Sequence, residues 1–147
     1  MTDNTIAMGF DEEMQEEKTA IKNKPAKRAP YAIWEVAGKE YKLKLTAADI
    51  TKLEQKYRRN LLLYLTDDGI PAIADMLTVI QASMRLYNHG MTFLDVQSLY
   101  DSYVDEGGDQ TALMADVLMP LLMVSGFFTQ SQAEILNKEM EDLNTNL

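Results

Sequence analysis

Strict alternation of apolar and polar positions marks the first patterned part of the chain. Tyr31–Leu45 reads YAIWEVAGKEYKLKL. Tyr41, Leu43 and Leu45 fall on one face, with Lys42 and Lys44 on the other. This period of two predicts half-buried strands, and Ala37, Gly38 and Lys39 predict the hairpin turn between them. Two strands are marginal alone, so the hairpin must pack on helices or pair with another chain through its outer edge.

From Thr46 the period lengthens to that of a helix. Thr46 and Asp49 have capping-box spacing, and Ile50, Leu53 and Tyr57 form an apolar stripe. Glu54 and Arg58 are spaced as an i,i+4 ion pair on the outer face. Lys52, Lys56 and Arg59 form a small basic stripe, read either as a solvated face or as a contact for an acidic partner. Leu61–Leu65 is an apolar run that ends in the turn Asp67-Asp68-Gly69. Pro71 suits the first position of the next helix. Its stripe is Ile73, Met76, Leu77, Ile80, Met84 and Tyr87, and Asn88-His89-Gly90 close it. Thr92 and Asp95 open another helix, with Val96, Leu99, Tyr100 and Tyr103 inward.

The stretch around which the rest is organised is Thr111–Phe128, TALMADVLMPLLMVSGFF. Apart from Asp116 and two hydroxyl residues it is apolar on all sides, so it must be buried or offer a face to a partner. It is too short and too flanked by charge to read as a membrane span. Asp109 or Thr111 caps its start. Pro120 predicts a kink or break, and Gly126 a left-handed cap with Phe127 and Phe128 folding back. Ser131 and Glu134 then predict the capping box of a last helix, with Ala133, Leu136, Met140 and Leu143 on its apolar face.

The divisions that follow are a flexible N-terminal arm at 1–29, a helical domain with its hairpin at 30–128, and a C-terminal helix with a frayed tail at 129–147. The arm carries a dense acid run, Asp11–Glu17, then a basic stretch, Lys18–Arg28, broken by Pro25 and followed by Pro30. Phe10, Met14 and Ile21 would allow a transient docking helix there. The fold class is α+β, mainly α: a short N-terminal β-hairpin packed on a bundle of about five helices.

Composition narrows the chemistry. The chain of 147 residues is long enough for one domain with its own core. A formal net charge of -9 disfavours general nucleic-acid binding, because phosphate repels it. With no cysteine, disulfides and thiolate chemistry are excluded. The N-terminus carries acids where a signal peptide would have a basic region and an apolar run. Ten methionines are compatible with core filling or with a pliable contact surface.

Candidate catalytic chemistry is sparse. His89 is the sole histidine, and it sits where its positive form would favour a helix C-terminus, without an orienting partner for catalysis. Asp101, Asp105 and Asp109 lack the alternating ligands and closing glutamate of a calcium loop. No glycine-rich phosphate loop or nucleophile motif is present. The expectation is a non-enzyme with no metal and no cofactor.

Three segments in order carry a resemblance: GKEYKLKLT (Gly38 to Thr46), ADITKLEQKY (Ala48 to Tyr57) and LLMVSGFF (Leu121 to Phe128). With a two-helix middle between the last two, residues 31 to 128 resemble the tail assembly chaperones of long-tailed bacteriophages and prophages, closest to those of phages with Gram-positive hosts. The resemblance implies a protein that coats the helical tape measure protein and keeps it soluble. A longer form made by ribosomal frameshifting recruits tail tube subunits. It further implies action in the host bacterial cytoplasm and absence from the mature virion.

A coating protein needs apolar, adaptable contacts. Met114, Met119, Leu122, Met123, Phe127 and Phe128 are the candidate partner-binding residues, with burial in the core as the competing role. Self-association through the hairpin edge or the apolar segment is expected, and neither nucleic acid nor a membrane. One alternative is an acidic inhibitor acting on a nucleic-acid-binding partner, which would need acids gathered on one face. Another is a small hydrolase or transferase without a recognisable motif, which would need a deep pocket holding two carboxylates.

Overall fold

The computed structural model describes residues 27–129 together with 131, 132, 135, 138, 139 and 142. Most of the N-terminal arm and the apolar face assigned to the last helix (Ala133, Leu136, Met140, Leu143) lie outside the described residues. Two antiparallel strands, β1 (Ala32–Val36) and β2 (Lys39–Leu43), are followed by α1 (Ala47–Tyr57), α2 (Leu61–Thr66), α3 (Ile73–Met84) and α4 (Phe93–Asp105). A last long helix, α5, is made of Gln110–Leu113, a π-helical section Met114–Leu118, and Met119–Val124. The fold is α+β and mainly α, a hairpin followed by about five helices.

The hairpin follows its alternation. Ala32, Trp34, Val36, Tyr41 and Leu43 are buried, while Ile33, Glu35 and Lys42 face out. Val36 pairs with Lys39 and Trp34 with Tyr41, so the loop is only Ala37-Gly38 and Lys39 belongs to the strand. Both loop residues have positive φ, 53° and 78°, the backbone of a type I′ turn whose twist matches the strands. The strained Ala37 is held because its N–H donates to Glu106 at 2.7 Å.

Both aspartate capping boxes form. Thr46 and Asp49 exchange bonds at the start of α1, and Thr92 and Asp95 do so at the start of α4. The bonds from the Thr92 backbone and hydroxyl hold the Asp95 carboxyl below its ordinary range. Between α1 and α2 the sequence reading needs correction. Arg58 takes a left-handed conformation (φ 54°) and ends α1, and Asn60 caps a separate short helix by accepting from Leu63 N–H. The Glu54–Arg58 pair does not form. Glu54 instead accepts from Leu61 N–H at 2.9 Å, because an unsatisfied helix N-terminus offers a better donor than a solvated guanidinium. Pro71 lies one residue before the N-cap Ala72, not at the first helical position.

In α5 the expected kink at Pro120 takes another form. Proline supplies no N–H and its ring crowds the carbonyl four residues back, that of Asp116. The preceding turn widens to π geometry, with Met119 N–H bonded to Met114 carbonyl, and the helix continues. Asp109 caps its start through Ala112 N–H. At its end Gly126 (φ 93°) sits in the left-handed cap, with Phe127 N–H bonded to Leu122 carbonyl at 3.2 Å and Gly126 N–H to Met123 carbonyl at 3.4 Å. Beyond it Thr129 and Gln132 exchange the bonds of a capping box, at 2.9 and 3.1 Å, while Glu134 of the expected Ser131–Glu134 box lies outside the described residues.

The core gathers on α5 and α3. Leu113, Leu118, Leu121 and Leu122 meet Met76, Leu77, Val79, Ile80 and Met84, with Trp34 and Leu43 from the hairpin. Trp34 is 1% exposed and packs edge-on against Tyr103 at 5.7 Å. Beyond Leu43 the chain is clasped on both sides. Lys44 N–H donates to Ser83 carbonyl at 2.9 Å, one of the orphan acceptors near the end of α3. Leu45 N–H donates to Ser125 Oγ at 3.1 Å, and Lys44 Nζ to Val124 carbonyl at 2.6 Å.

Candidate functional site

The acids and bases of α1 are split by burial. Asp49 is 3% exposed although it is charged. Its Oδ2 accepts from Thr46 N–H and Thr46 Oγ1, and its Oδ1 from Arg85 Nη1 at 3.0 Å. That ion pair joins α1 to the C-terminal turn of α3, and a groove of about 390 Å³ opens beside it. Leu53 and Ala82 supply its apolar lining, Thr78 and Gln81 its polar side, and Lys52, Lys56 and Arg85 its cations. Lys52 and Lys56 make no ion pair within 4 Å among the described residues. Of the basic stripe read from sequence, two members line the groove. The third, Arg59, turns away to pair with Asp67.

A second hollow, of about 250 Å³, continues past Asp49 and Arg85 to Thr46, Leu86 and His89. Leu86 is 45% exposed and its neighbour Tyr87 is 41% exposed. Tyr87 meets Tyr31 edge-on at 5.5 Å, and Lys42 Nζ lies over both rings, at 4.8 Å from Tyr31 and 5.9 Å from Tyr87. Asn88 fixes this corner by donating to Lys42 carbonyl at 3.1 Å. One continuous surface therefore runs from Lys56 along α1 and α3 to the outer side of β2. It is cationic and apolar on a chain whose net charge is -9.

The six candidate contact residues divide. Leu122 is fully buried and Met123 is 7% exposed, so neither has surface to offer in this fold. Met114, Met119, Phe127 and Phe128 are half-buried against the core and keep a partly open side. What the sequence hid is Arg85, which lies 33 residues from Lys52 and joins it only when α1 packs on α3.

On the other side of α1, Tyr57 stacks on Tyr64 at 4.1 Å, and Tyr64 donates to Asp75 at 3.0 Å. Burial pushes the Tyr57 phenol up to about 12. Burial and the bond to Asp75 raise Tyr64, and burial with the charges of Asp116 and Asp109 raises Tyr103. Among the described residues no cluster of three histidine or carboxylate side chains is placed to hold a metal ion. None of their helices is long and apolar enough to cross a membrane.

A model for a family of unknown function, DUF6096, matches residues 27–147. The chain belongs to the DUF6096 family. The match takes in the hairpin, the groove and the whole of α5. No curated protein and no solved structure shows significant similarity to the chain.

Proposed function

We propose that this DUF6096 chain is a tail assembly chaperone of long-tailed bacteriophages, which binds the helical tape measure protein and keeps it soluble until the tail tube forms. The supporting observation is the way the resembling segments meet. GKEYKLKLT contains Lys44 and Leu45, and LLMVSGFF contains Val124 and Ser125. The two are hydrogen-bonded to each other across 80 residues of chain. ADITKLEQKY forms α1, one wall of the groove. Three segments that resemble one family in order thus form one structural unit.

The groove suits the work. An exposed amphipathic helix needs an apolar trough and polar edges that match its own charges. Leu53 and Ala82 offer the first, and Lys52, Lys56 and Arg85 the second. The acidic remainder of the surface keeps the coated complex soluble. A longer, frameshifted form would bring tail tube subunits to the same complex.

The acidic-inhibitor reading draws less support. Many of its acids are already engaged: Asp95 and Asp109 cap helices, Glu54 and Glu106 accept from backbone N–H groups, and Asp67 pairs with Arg59.

The test is co-expression with the tape measure protein encoded by the same phage or prophage. The expected result is soluble tape measure protein with the wild-type chain and insoluble protein with Lys52→Glu/Lys56→Glu. Equal solubility with and without the wild-type chain would sink the reading.

A further inference from the structure

We propose that the groove between α1 and α3 selects one kind of guest: an amphipathic helix of the partner that carries two carboxylates four residues apart along one border of its apolar stripe. The inference rests on the chaperone reading, in which that helix belongs to the tape measure protein, and it names the feature the groove recognises there.

The walls decide what form of chain fits. α1 and α3 run antiparallel along the groove, with Asp49 bonded to Arg85 at one end and Tyr57 beside Thr78 near the other. From Asp49 to Lys56 the α1 wall rises ~10 Å, about two helical turns. Both walls are helices, whose inner N–H and carbonyl groups are bonded within their own turns. The polar side chains are partly engaged as well: Thr78 Oγ1 donates to Ala74 carbonyl and Gln81 Nε2 to Met91 carbonyl. A guest must therefore satisfy its own backbone, which a helix does and an extended strand does not.

Charge decides which helix is taken. Lys52 and Lys56 stand four residues apart on α1, a spacing at which like charges repel. Neither makes an ion pair within 4 Å among the described residues. Lys56 Nζ lies 5.7 Å from the Tyr57 ring, near the ~6 Å limit of such contacts, so a carboxylate is the stronger partner. The two lysines are separated by a rise of ~6 Å, and carboxylates four residues apart on a helix laid along α1 have the same rise. Across the groove Arg85 keeps 59% of its side chain exposed and offers a third cation to an acid on the guest's other border. The one carboxylate lining the groove, Asp49, is nearly buried and already accepts from Thr46 and Arg85, so it repels an incoming acid weakly. Leu53 and Ala82 receive the apolar stripe.

The probe is a fluorescein-labelled amphipathic peptide of ~20 residues, long enough to be helical alone, with two glutamates four apart beside a leucine stripe. One control peptide has the same composition with the glutamates moved to the face opposite the stripe. A second has lysines in place of the glutamates. Fluorescence anisotropy with the full-length protein at low salt reads the affinities. The first peptide should bind, and either moving its glutamates or the protein variant Lys52→Glu/Lys56→Glu should weaken it ~10–30-fold. The lysine peptide should bind that variant more tightly than it binds the wild type, a gain that a misfolded variant would not show. Equal affinity for both glutamate arrangements, as general charge attraction would give, or no gain with the lysine peptide would overturn the proposal. If the first peptide fails to bind while the wild-type chain still keeps the tape measure protein soluble, the groove's selectivity falls and the chaperone reading stands. Selective binding of the peptide without any effect on tape measure solubility would keep the selectivity and sink the chaperone reading.

Discussion

Replacing Asp49 tests the joint on which the groove depends. Asp49→Ala removes the acceptor for Thr46 N–H, for Thr46 Oγ1 and for Arg85 Nη1. Each bond to a charged acceptor contributes ~1.5–3 kcal/mol at most, and the relief of burying a carboxylate offsets part of that. Loss of an acid from the first turn of α1 adds ~0.3–1 kcal/mol. The net expectation is ~2–4 kcal/mol. Arg85→Ala is the instructive comparison. The arginine side chain is 59% exposed and the aspartate 4%, so water can replace the guanidinium, and the carboxylate keeps both Thr46 bonds. Its cost should be ~1 kcal/mol, in the range of half-exposed ion pairs. Urea unfolding followed by circular dichroism at 222 nm measures both. With a slope near ~2 kcal/mol per molar, Asp49→Ala should lower the midpoint by ~1–2 M and Arg85→Ala by ~0.5 M. Equal costs for the two, or a cost for Asp49→Ala below ~1 kcal/mol, would refute the view that the buried carboxylate organises this joint.

Other outcomes follow from the same geometry. Leu122→Ala should cost ~2–5 kcal/mol in the same urea assay, because the side chain is fully buried, while half-buried Phe127→Asp should stay folded and reduce the recovery of soluble tape measure protein. The Tyr57 proton is held more tightly in the folded chain than in the unfolded one, so that contribution to stability is complete below pH 10 and is lost as pH rises towards about 12. Urea midpoints across that interval should fall less steeply in Tyr57→Phe. Gly126→Ala forces a β-carbon into a backbone with φ 93° and should cost ~1–2 kcal/mol, visible as a lower melting temperature.

The parts of the fold legible in the sequence are those specified by neighbours along the chain. The alternation of Ala32, Trp34 and Val36 against Glu35, the Thr-x-x-Asp boxes at Thr46 and Thr92, and Gly126 after an apolar run each carry a local physical signal, and each forms. The end of α1 had no such signal. Arg58 adopts a left-handed conformation without being glycine or asparagine, held where Glu54 turns to cap α2. Pro120 predicts a kink or break, and proline alone does not say that the turn before it will widen and let α5 continue. At the site, Lys52 and Lys56 were visible as a stripe, but Arg59 looked like their third member and Arg85 is. Four residues of helix spacing place side chains on one face, whereas the partner across a groove is chosen by tertiary packing. Leu122 and Met123 show the converse: apolar residues within a contact-like segment that the core absorbed.

The clasp between Lys44–Leu45 and Val124–Ser125 also sets when the protein can fold during synthesis. The hairpin leaves the ribosome first, yet the helix that buries Trp34 and the hydroxyl that anchors Leu45 are made about 80 residues later. At ~5–20 residues per second that interval lasts ~4–16 s, during which a two-stranded hairpin has little to hold it. Closure of the domain therefore waits until the segment around Ser125 has been made and has left the ribosome.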